Sequence, residues 1–247
     1  MNIAGGALTR TVKALLIGFP ATVLIFGRVG LCSAADKVLH CPGGMATVTY
    51  ATVSDAHVGC LGVQDAVTFL RSQGIRTNIP IDIHMVDALP EGVSKSAIGC
   101  FDTEQRRAIV LGETSSRNLL KGKKLFGMAF DAALHRSVVA HEAAHIIAGH
   151  NFEFDNPTRA ASEYIAYVTQ LASLPPAHRR EILDRFPTIE FDEPMEINIF
   201  ILMLDPNVFA VGSYRHFLKF DNQKAFFGRL IRGDVRLETL NDSPPEN

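Results

Sequence analysis

An alanine-rich segment that carries two histidines four residues apart constrains the fold more than any other feature of the chain. Residues 138–150 read Val-Val-Ala-His-Glu-Ala-Ala-His-Ile-Ile-Ala-Gly-His. We expect Asp131 to cap a helix that runs from there to about Ala148, because aspartate is a favoured N-cap residue. Positions i and i+4 lie on one face of a helix, about 5–6 Å apart. The side chains of His141 and His145 are therefore expected to lie side by side.

Two imidazoles at this spacing can bind one zinc ion at about 2.0–2.1 Å. Glu142 is rotated by about 100° from His141 around the helix, so it is not a further ligand. It is placed instead to accept a proton from a water bound to the metal and to pass it to a leaving amine. The alternative is a buried helix whose histidines are satisfied by hydrogen bonds alone. The pattern is expected only about 0.016 times by chance in a chain of this composition.

A catalytic zinc site needs a third protein ligand, and Glu163 is the leading candidate. A second helix is predicted to begin at residues 156–157 and to end before Pro175, and the short connection lets it pack antiparallel to the first. Counted from the turn, His145 and Glu163 lie about 6 Å and about 9 Å along their helices, at nearly the same level. His150, just past the predicted end of the first helix, is the alternative third ligand.

The motif His141-Glu142-x-x-His145, followed by Glu163 on a second helix, resembles the gluzincin group of zinc metallopeptidases. The resemblance covers residues 131–170. It implies an α+β, zincin-like fold, in which a small mixed β-sheet packs on the active-site helix and a mainly helical C-terminal half follows. It also implies that a strand shortly before that helix binds the main chain of the substrate.

The resemblance points to two further site features. Residues 106–111 are the candidate substrate-binding strand, since they form the predicted strand nearest to the helix. Gluzincins also place a tyrosine or histidine near the metal, where it stabilises the oxyanion. Tyr214 and His216 belong to a polar cluster within an otherwise apolar predicted helix and are candidates for this catalytic role. Tyr167, four residues after Glu163 on the same helix face, is a further option.

Hydrophobic patterning divides the chain into an α/β part over residues 36–125 and a helical part over residues 126–240 of one domain. Alternation with a period of two predicts strands within residues 36–60, 79–86 and 106–111. Spacings of three and four predict a helix over residues 61–74. Four later segments have helical patterning: residues 179–186, 193–204, 206–220 and 222–231.

The N-terminal 35 residues have the pattern of a secretory signal peptide. They contain three basic residues, no acidic residue and a 14-residue apolar run, followed by small residues before Asp36. An uncleaved anchor and a lipoprotein site at Cys32 are the alternatives. Without this segment the chain has 21 basic and 26 acidic residues. Residues 241–247 are polar with two prolines and are predicted to form a disordered tail.

Charge and cysteine content limit the partners and the compartment. The whole chain has 24 basic and 26 acidic residues, which argues against a nucleic-acid partner. A short basic cluster at residues 121–124 is either solvated or in contact with an acidic group of the envelope or of a substrate. Cys41, Cys60 and Cys100 lie outside the leader. They allow one disulfide with a free thiol, in three pairings, or free buried thiols.

The sequence therefore predicts an exported zinc metallopeptidase, periplasmic or secreted and of bacterial origin. Its expected cofactor is Zn²⁺ and its expected partner is a peptide or protein substrate. No nucleic-acid partner and no stable membrane span after processing are expected. Two alternative functions remain: a non-catalytic zinc-binding envelope protein with a zincin-like fold, and a zinc hydrolase of a non-peptide amide.

Overall fold

The computed structural model describes residues 37–237. The expected signal peptide, with the alternative lipoprotein site at Cys32, and the expected tail at residues 241–247 lie outside the described residues. Five strands are present in the described range: β1 Lys37–His40, β2 Ala46–Tyr50, β3 Ile81–Val86, β4 Gly99–Asp102 and β5 Arg107–Leu111. Eight α-helices are present there: α1 Val53–Ser72, α2 Glu113–Leu119, α3 Ala132–Gly149, α4 Arg159–Ser173, α5 Pro176–Arg185, α6 Ile199–Leu204, α7 Pro206–Leu218 and α8 Gln223–Arg232.

The five strands form one mixed sheet in the order β1-β2-β3-β5-β4. The central strands β2, β3 and β5 are parallel, and the edge strands β1 and β4 are antiparallel to their neighbours. Along β3, Ile81, Ile83 and Met85 are buried, whereas Asp82 and His84 are partly exposed. Helices α1 and α3 cover the buried face of this sheet. The alternation in the sequence therefore predicted which face of β3 meets the core.

Helix α3 is the central element of the fold, because 14 of its 18 residues are buried. Asp131 caps it as predicted, accepting a hydrogen bond of 2.9 Å from the backbone N–H of Leu134. The helix packs against the sheet, α1 and α4. At the crossing with α1, a Cβ on Gly62 would lie 2.6 Å from the Cβ of Val139. Glycine at this position therefore permits the close approach of the two helices.

The second half of the described chain is helical, as predicted. Helix α4 packs against α1, α3 and α7, and α6 packs against α7. Aromatic side chains of α4, α7 and α8 meet in the core: Tyr164, Phe217, Phe226 and Phe227. The α+β class, with a small mixed sheet packed on the helix that carries the histidine motif, is confirmed.

Local capping explains three of the differences between the predicted and observed helix boundaries. Helix α1 begins at Val53, eight residues earlier than predicted, because Thr52 caps it by accepting a hydrogen bond from the N–H of Asp55. Helix α4 begins at Arg159 after the cap residue Thr158, and not at residues 156–157. The predicted helix over residues 193–204 is a 3₁₀ turn, Pro194–Glu196, followed by α6, with Asn198 as the cap between them.

A disulfide joins Cys41, next to β1, to Cys60 of α1, and the thiol of Cys100 on β4 is free. The disulfide ties the β1–β2 hairpin to the first helix, and it is one of the three pairings that the sequence left open. Among residues 37–237, no helix has the length and apolar character needed to cross a bilayer.

Candidate metal centre

His141 and His145 on α3 meet Glu163 on α4 where the two helices pack together. The two histidine Nε2 atoms are 3.1 Å apart. The Oε2 atom of Glu163 lies 3.5 Å from Nε2 of His141 and 3.7 Å from Nε2 of His145. All three side chains are largely buried. The structure thus brings together the three ligands predicted from the sequence.

The triangle of donor atoms has the dimensions that a tetrahedral zinc ion requires. Zinc binds histidine nitrogen and carboxylate oxygen at about 2.0–2.2 Å, so neighbouring donors in a tetrahedron are separated by about 3.3–3.5 Å. The observed separations of 3.1–3.7 Å bracket this value. Two imidazoles and one carboxylate also leave the fourth position open, as in catalytic zinc sites. The residues therefore fit a zinc ion.

Mutual charge effects prepare Glu163 and His145 to bind a cation. Burial alone would raise the pKa of Glu163, but the contacts with both histidines and with Arg159 lower this pKa to about 2. Burial and the neighbouring His141 lower the pKa of His145 to about 4. Burial also opposes protonation of His141, yet the adjacent carboxylate of Glu163 raises its pKa above the ordinary value. Glu163 is therefore ionised and His145 neutral at neutral pH, which are the states that ligands require.

Ser162 of α4 orients one ligand of this cluster and Gln170 of α4 lines the cleft beside it, and neither was anticipated from the sequence. The Nδ1 atom of His145 lies 2.8 Å from the hydroxyl oxygen of Ser162. When Nδ1–H donates to this oxygen, the lone pair of Nε2 points to the shared position between the ligands. Gln170, about two helical turns after Glu163 on α4, is buried, lines the same cleft as His141 and donates a hydrogen bond to the hydroxyl of Ser137. Ser162 directly precedes Glu163, and Gln170 follows it by seven residues. These spacings are the only indication in the sequence that the two side chains lie near the ligand Glu163.

Glu142 lies beside the ligands and faces the same cleft. Burial raises the pKa of its carboxyl group to about 7. On the neighbouring strand β4, a Cβ on Gly99 would lie 2.6 Å from the Oε1 atom of Glu142. A side chain at this position would displace the carboxylate, so glycine leaves room for Glu142 beside the ligands.

The metal centre opens into a cleft of about 1040 Å³, which is large enough for an extended ligand. Its walls come from β4 and the segment before it, the loop between α2 and α3, and the first half of α4. The side chain of Phe101 on β4 stacks on the ring of His145, with ring centroids 6.2 Å apart. Strand β4, which the sequence analysis missed, thus forms one wall of the site.

The expectation that residues 106–111 bind the substrate main chain is wrong. Strand β5 lies between β3 and β4, so neighbouring strands occupy both of its edges. The free edge belongs to β4. The backbone N–H of Leu111 donates to the carbonyl of Ile98, so Cys100, two residues on, also directs its backbone groups toward β5. The backbone groups of Gly99 and Phe101 therefore face away from the sheet.

The structure does not bring Tyr214 and His216 to the cleft lining. His216 is buried on α7, where its Nδ1 atom accepts a hydrogen bond of 2.9 Å from the hydroxyl of Tyr164. Tyr214 is buried on the same helix, and the guanidinium of Arg179 lies 6.0 Å from its ring centroid. Tyr167 does line the cleft, and its ring packs edge-on against His141 with centroids 4.4 Å apart.

His150, the alternative third ligand, is the C-cap residue of α3 and lies outside the group of three ligands. Its backbone carbonyl accepts a hydrogen bond from Arg76. Glu163 on α4 occupies the position of the third ligand, which the alternative prediction gave to His150. His150 lies five residues after His145, a rotation of about 140° around the helix, so it does not share the face that carries the two ligands.

Comparison with known proteins gives one match. The profile of a family of unknown function, DUF6639, matches residues 46–240, which include β2 to α8 and every residue of the metal centre. No curated protein and no solved structure matches the chain.

Proposed function

The chain belongs to a protein family of unknown function (DUF6639), and we propose that it is an exported zinc-dependent peptidase related to the gluzincins. The observation that carries this proposal is the juxtaposition of a zinc-sized triangle of donors with a buried carboxylate of raised pKa. His141, His145 and Glu163 hold the metal in this proposal. Glu142 is the group that transfers protons.

A zinc ion in this position polarises the carbonyl of a bound substrate and lowers the pKa of a water molecule. The carboxylate of Glu142 accepts the proton of the attacking water and then donates it to the nitrogen of the leaving amine. A pKa of about 7 suits both steps, because the group is close to half-protonated at neutral pH. A site that only stabilised the fold would not need this carboxyl group, which is costly to bury.

Tyr167 is the residue best located to donate a hydrogen bond to the oxyanion. Its ring packs on His141, and its side chain lines the cleft. Among the described residues its hydroxyl has no hydrogen-bond partner, whereas the hydroxyl of Tyr164 is bonded to His216. Burial raises the pKa of Tyr167 above its ordinary value, so this hydroxyl keeps its proton and remains a donor.

The free edge of β4 supports a peptide as the substrate. An extended peptide that added a strand there would exchange main-chain hydrogen bonds with Gly99 and Phe101. This pairing would hold the peptide next to Glu142, which contacts the position of a Gly99 side chain.

Export is supported by the disulfide between Cys41 and Cys60 and by the leader pattern of residues 1–35. Disulfides form and persist in oxidising compartments and are rare in the bacterial cytosol. In this proposal the protein works in the periplasm or outside the cell.

The decisive experiment compares the zinc-loaded wild type with Glu142→Gln on a mixed peptide library, with cleavage products identified by mass spectrometry. Glu153→Gln is the matched control, since Glu153 is an exposed acid in the α3–α4 connection. We expect cleavage that a chelator abolishes and that falls about 10³-fold in Glu142→Gln. The control is expected to cleave like the wild type.

Other outcomes discriminate the alternatives. Stoichiometric zinc without cleavage of any peptide would contradict peptidase activity and favour a non-catalytic zinc protein. Metal-dependent hydrolysis of simple amides, but not of peptides, would favour a hydrolase of non-peptide substrates. Equal cleavage by wild type and Glu142→Gln would contradict the role given to this carboxylate.

A further inference from the structure

Three cationic side chains line the cleft around the metal centre: Lys123 and Lys124 from the loop between α2 and α3, and Arg159 from the start of α4. The only acidic side chains in this lining are Glu142 and Glu163, and both are buried at the centre itself. The mouth of the cleft is therefore positive, although the chain as a whole has more acidic than basic residues.

The two lysines are exposed and make no ion pair with any acidic residue of the described range. Some basic residues elsewhere in the fold are paired, as Arg117 is with Glu113 and Lys219 with Glu190. The ammonium groups of the two exposed lysines are therefore available to bind an anion at the cleft.

The loop that carries the lysines is tied to the rest of the fold directly after them. The backbone N–H of Phe126 donates to the side-chain oxygen of Asn207 at 3.0 Å, and the Phe126 ring is only 1% exposed. Leu125 and Met128 exchange two backbone hydrogen bonds. The positions of Lys123 and Lys124 relative to the cleft are thus set by buried contacts rather than by their own side chains.

From this charge pattern we propose that the cleft selects peptides with aspartate or glutamate side chains next to the scissile bond. Lys123 and Lys124 bind these carboxylates from one wall. Arg159, which is exposed and lies 3.6 Å from Oε1 of Glu163, adds positive charge from the other. This substrate class rests on the proposed peptidase function. The interaction is electrostatic and solvent-exposed, so it favours acidic substrates in affinity and in association rate and weakens with added salt.

A carboxylate could also come from the C-terminus of a peptide, and the probe peptides separate the two sources. One fluorescent peptide has two internal glutamates and blocked ends. A second has glutamines at the same positions and blocked ends, and a third is this glutamine peptide with a free C-terminal carboxylate. Binding is measured by fluorescence anisotropy with zinc-loaded Glu142→Gln protein, so that the result does not depend on cleavage.

The test variant is the double charge reversal Lys123→Glu/Lys124→Glu. Its matched control is Lys121→Glu, because Lys121 is an exposed residue of the same loop that does not line the cleft. We expect the internal-glutamate peptide to bind at least about fivefold more tightly than the blocked glutamine peptide. The double variant is expected to abolish or reverse this ratio, whereas Lys121→Glu keeps it. Raising the salt concentration from 50 mM to 500 mM is expected to reduce it.

Equal binding of the acidic and neutral blocked peptides, or a preference unaffected by the double reversal, would overturn the proposal. A preference confined to the free C-terminal carboxylate would overturn the assignment to side chains. Selective binding without turnover by the wild type would support acidic recognition and refute the peptidase, so the two failures are distinguishable.

Discussion

The polar clusters on two sides of α4 both contain buried histidine but differ in their electrostatic state. Glu163 faces the histidines of α3, and the next residue, Tyr164, faces His216 of α7. In both clusters a buried histidine has its pKa lowered to about 4. Only the first contains an ionised carboxylate and opens to a cleft. The second is sealed by aromatic rings and contains neutral groups alone.

The difference shows what a buried histidine contributes in each setting. Next to Glu163, two imidazoles converge on one point and are stabilised only if a cation or a proton sits between them. Next to Tyr164, a single imidazole accepts one hydrogen bond and packs against Phe220 and Phe226. The first arrangement is suited to bind a metal, and the second is suited to hold three helices together.

Of the substitutions that distinguish the two clusters, Glu163→Gln is expected to have the largest effect, a loss of zinc affinity. Loss of one of the metal ligands should weaken zinc binding by about 10²- to 10³-fold, because an apparent binding free energy of about 10–16 kcal/mol is shared among four ligands. Zinc affinity is measured by competition with a chromophoric chelator. His150→Gln is the control and should bind zinc like the wild type. Equal affinities of Glu163→Gln and wild type would remove Glu163 from the site.

In the second cluster, the lowered pKa of His216 should make the free energy of unfolding depend on pH. Burial lowers the pKa of His216 from 6.5 to about 4 in the folded state. Between these values the unfolded chain binds a proton that the folded chain does not, so stability falls as the pH drops from about 6.5 to about 4. His216 alone contributes a loss of up to about 3 kcal/mol.

This dependence is measured by urea unfolding at pH 7, 6, 5 and 4 for the wild type and for His216→Phe. The variant should lose less stability across this range, since the site can no longer bind a proton in the unfolded state. Parallel curves for the two proteins would mean that His216 titrates normally when folded.

A smaller effect on the metal is expected from Ser162→Ala. Without the hydroxyl, Nδ1 of His145 loses its partner and the imidazole is less well oriented, which should weaken zinc binding about tenfold. Ser162→Thr keeps the hydroxyl and should restore most of the affinity. Failure of threonine to restore binding, or no loss in Ser162→Ala, would mean that Ser162 does not position His145.

The smallest effect is expected from Tyr164→Phe, which leaves the Nδ1 atom of His216 buried without a donor. Unfolding free energy should fall by about 1–2 kcal/mol, while zinc affinity stays unchanged. Tyr214→Phe is the matched control and should change stability by less than about 0.5 kcal/mol. A loss of zinc affinity in Tyr164→Phe would show that the two clusters are coupled through α4.

The grouping of His141, His145 and Glu163 was predictable because its geometry is local. The spacing of His141 and His145 is a property of any helix, and Glu163 follows from the length of one short connection. The N-cap at Asp131 and the alternating burial along β3 could likewise be predicted from the sequence. In each case the deciding contacts lie within one element or between two elements adjacent in the chain.

The parts that the sequence did not predict depend on contacts between distant segments. Strand β4 has only four residues without alternating burial, and its place at the free edge depends on pairing with β5. His216 looked like a site residue because polar residues cluster around it. Which side of α7 it occupies depends on packing against α4, and this packing turns it toward Tyr164.

Zinc content is the most direct test of the central claim. Wild type and the double variant His141→Asn/His145→Asn are purified without chelators and examined by native mass spectrometry and elemental analysis. We predict one zinc ion per wild-type chain and none in the double variant, with both proteins folded by circular dichroism. A folded wild type that binds no zinc, or a double variant that keeps a full equivalent, would contradict the assignment of this cluster as a metal centre.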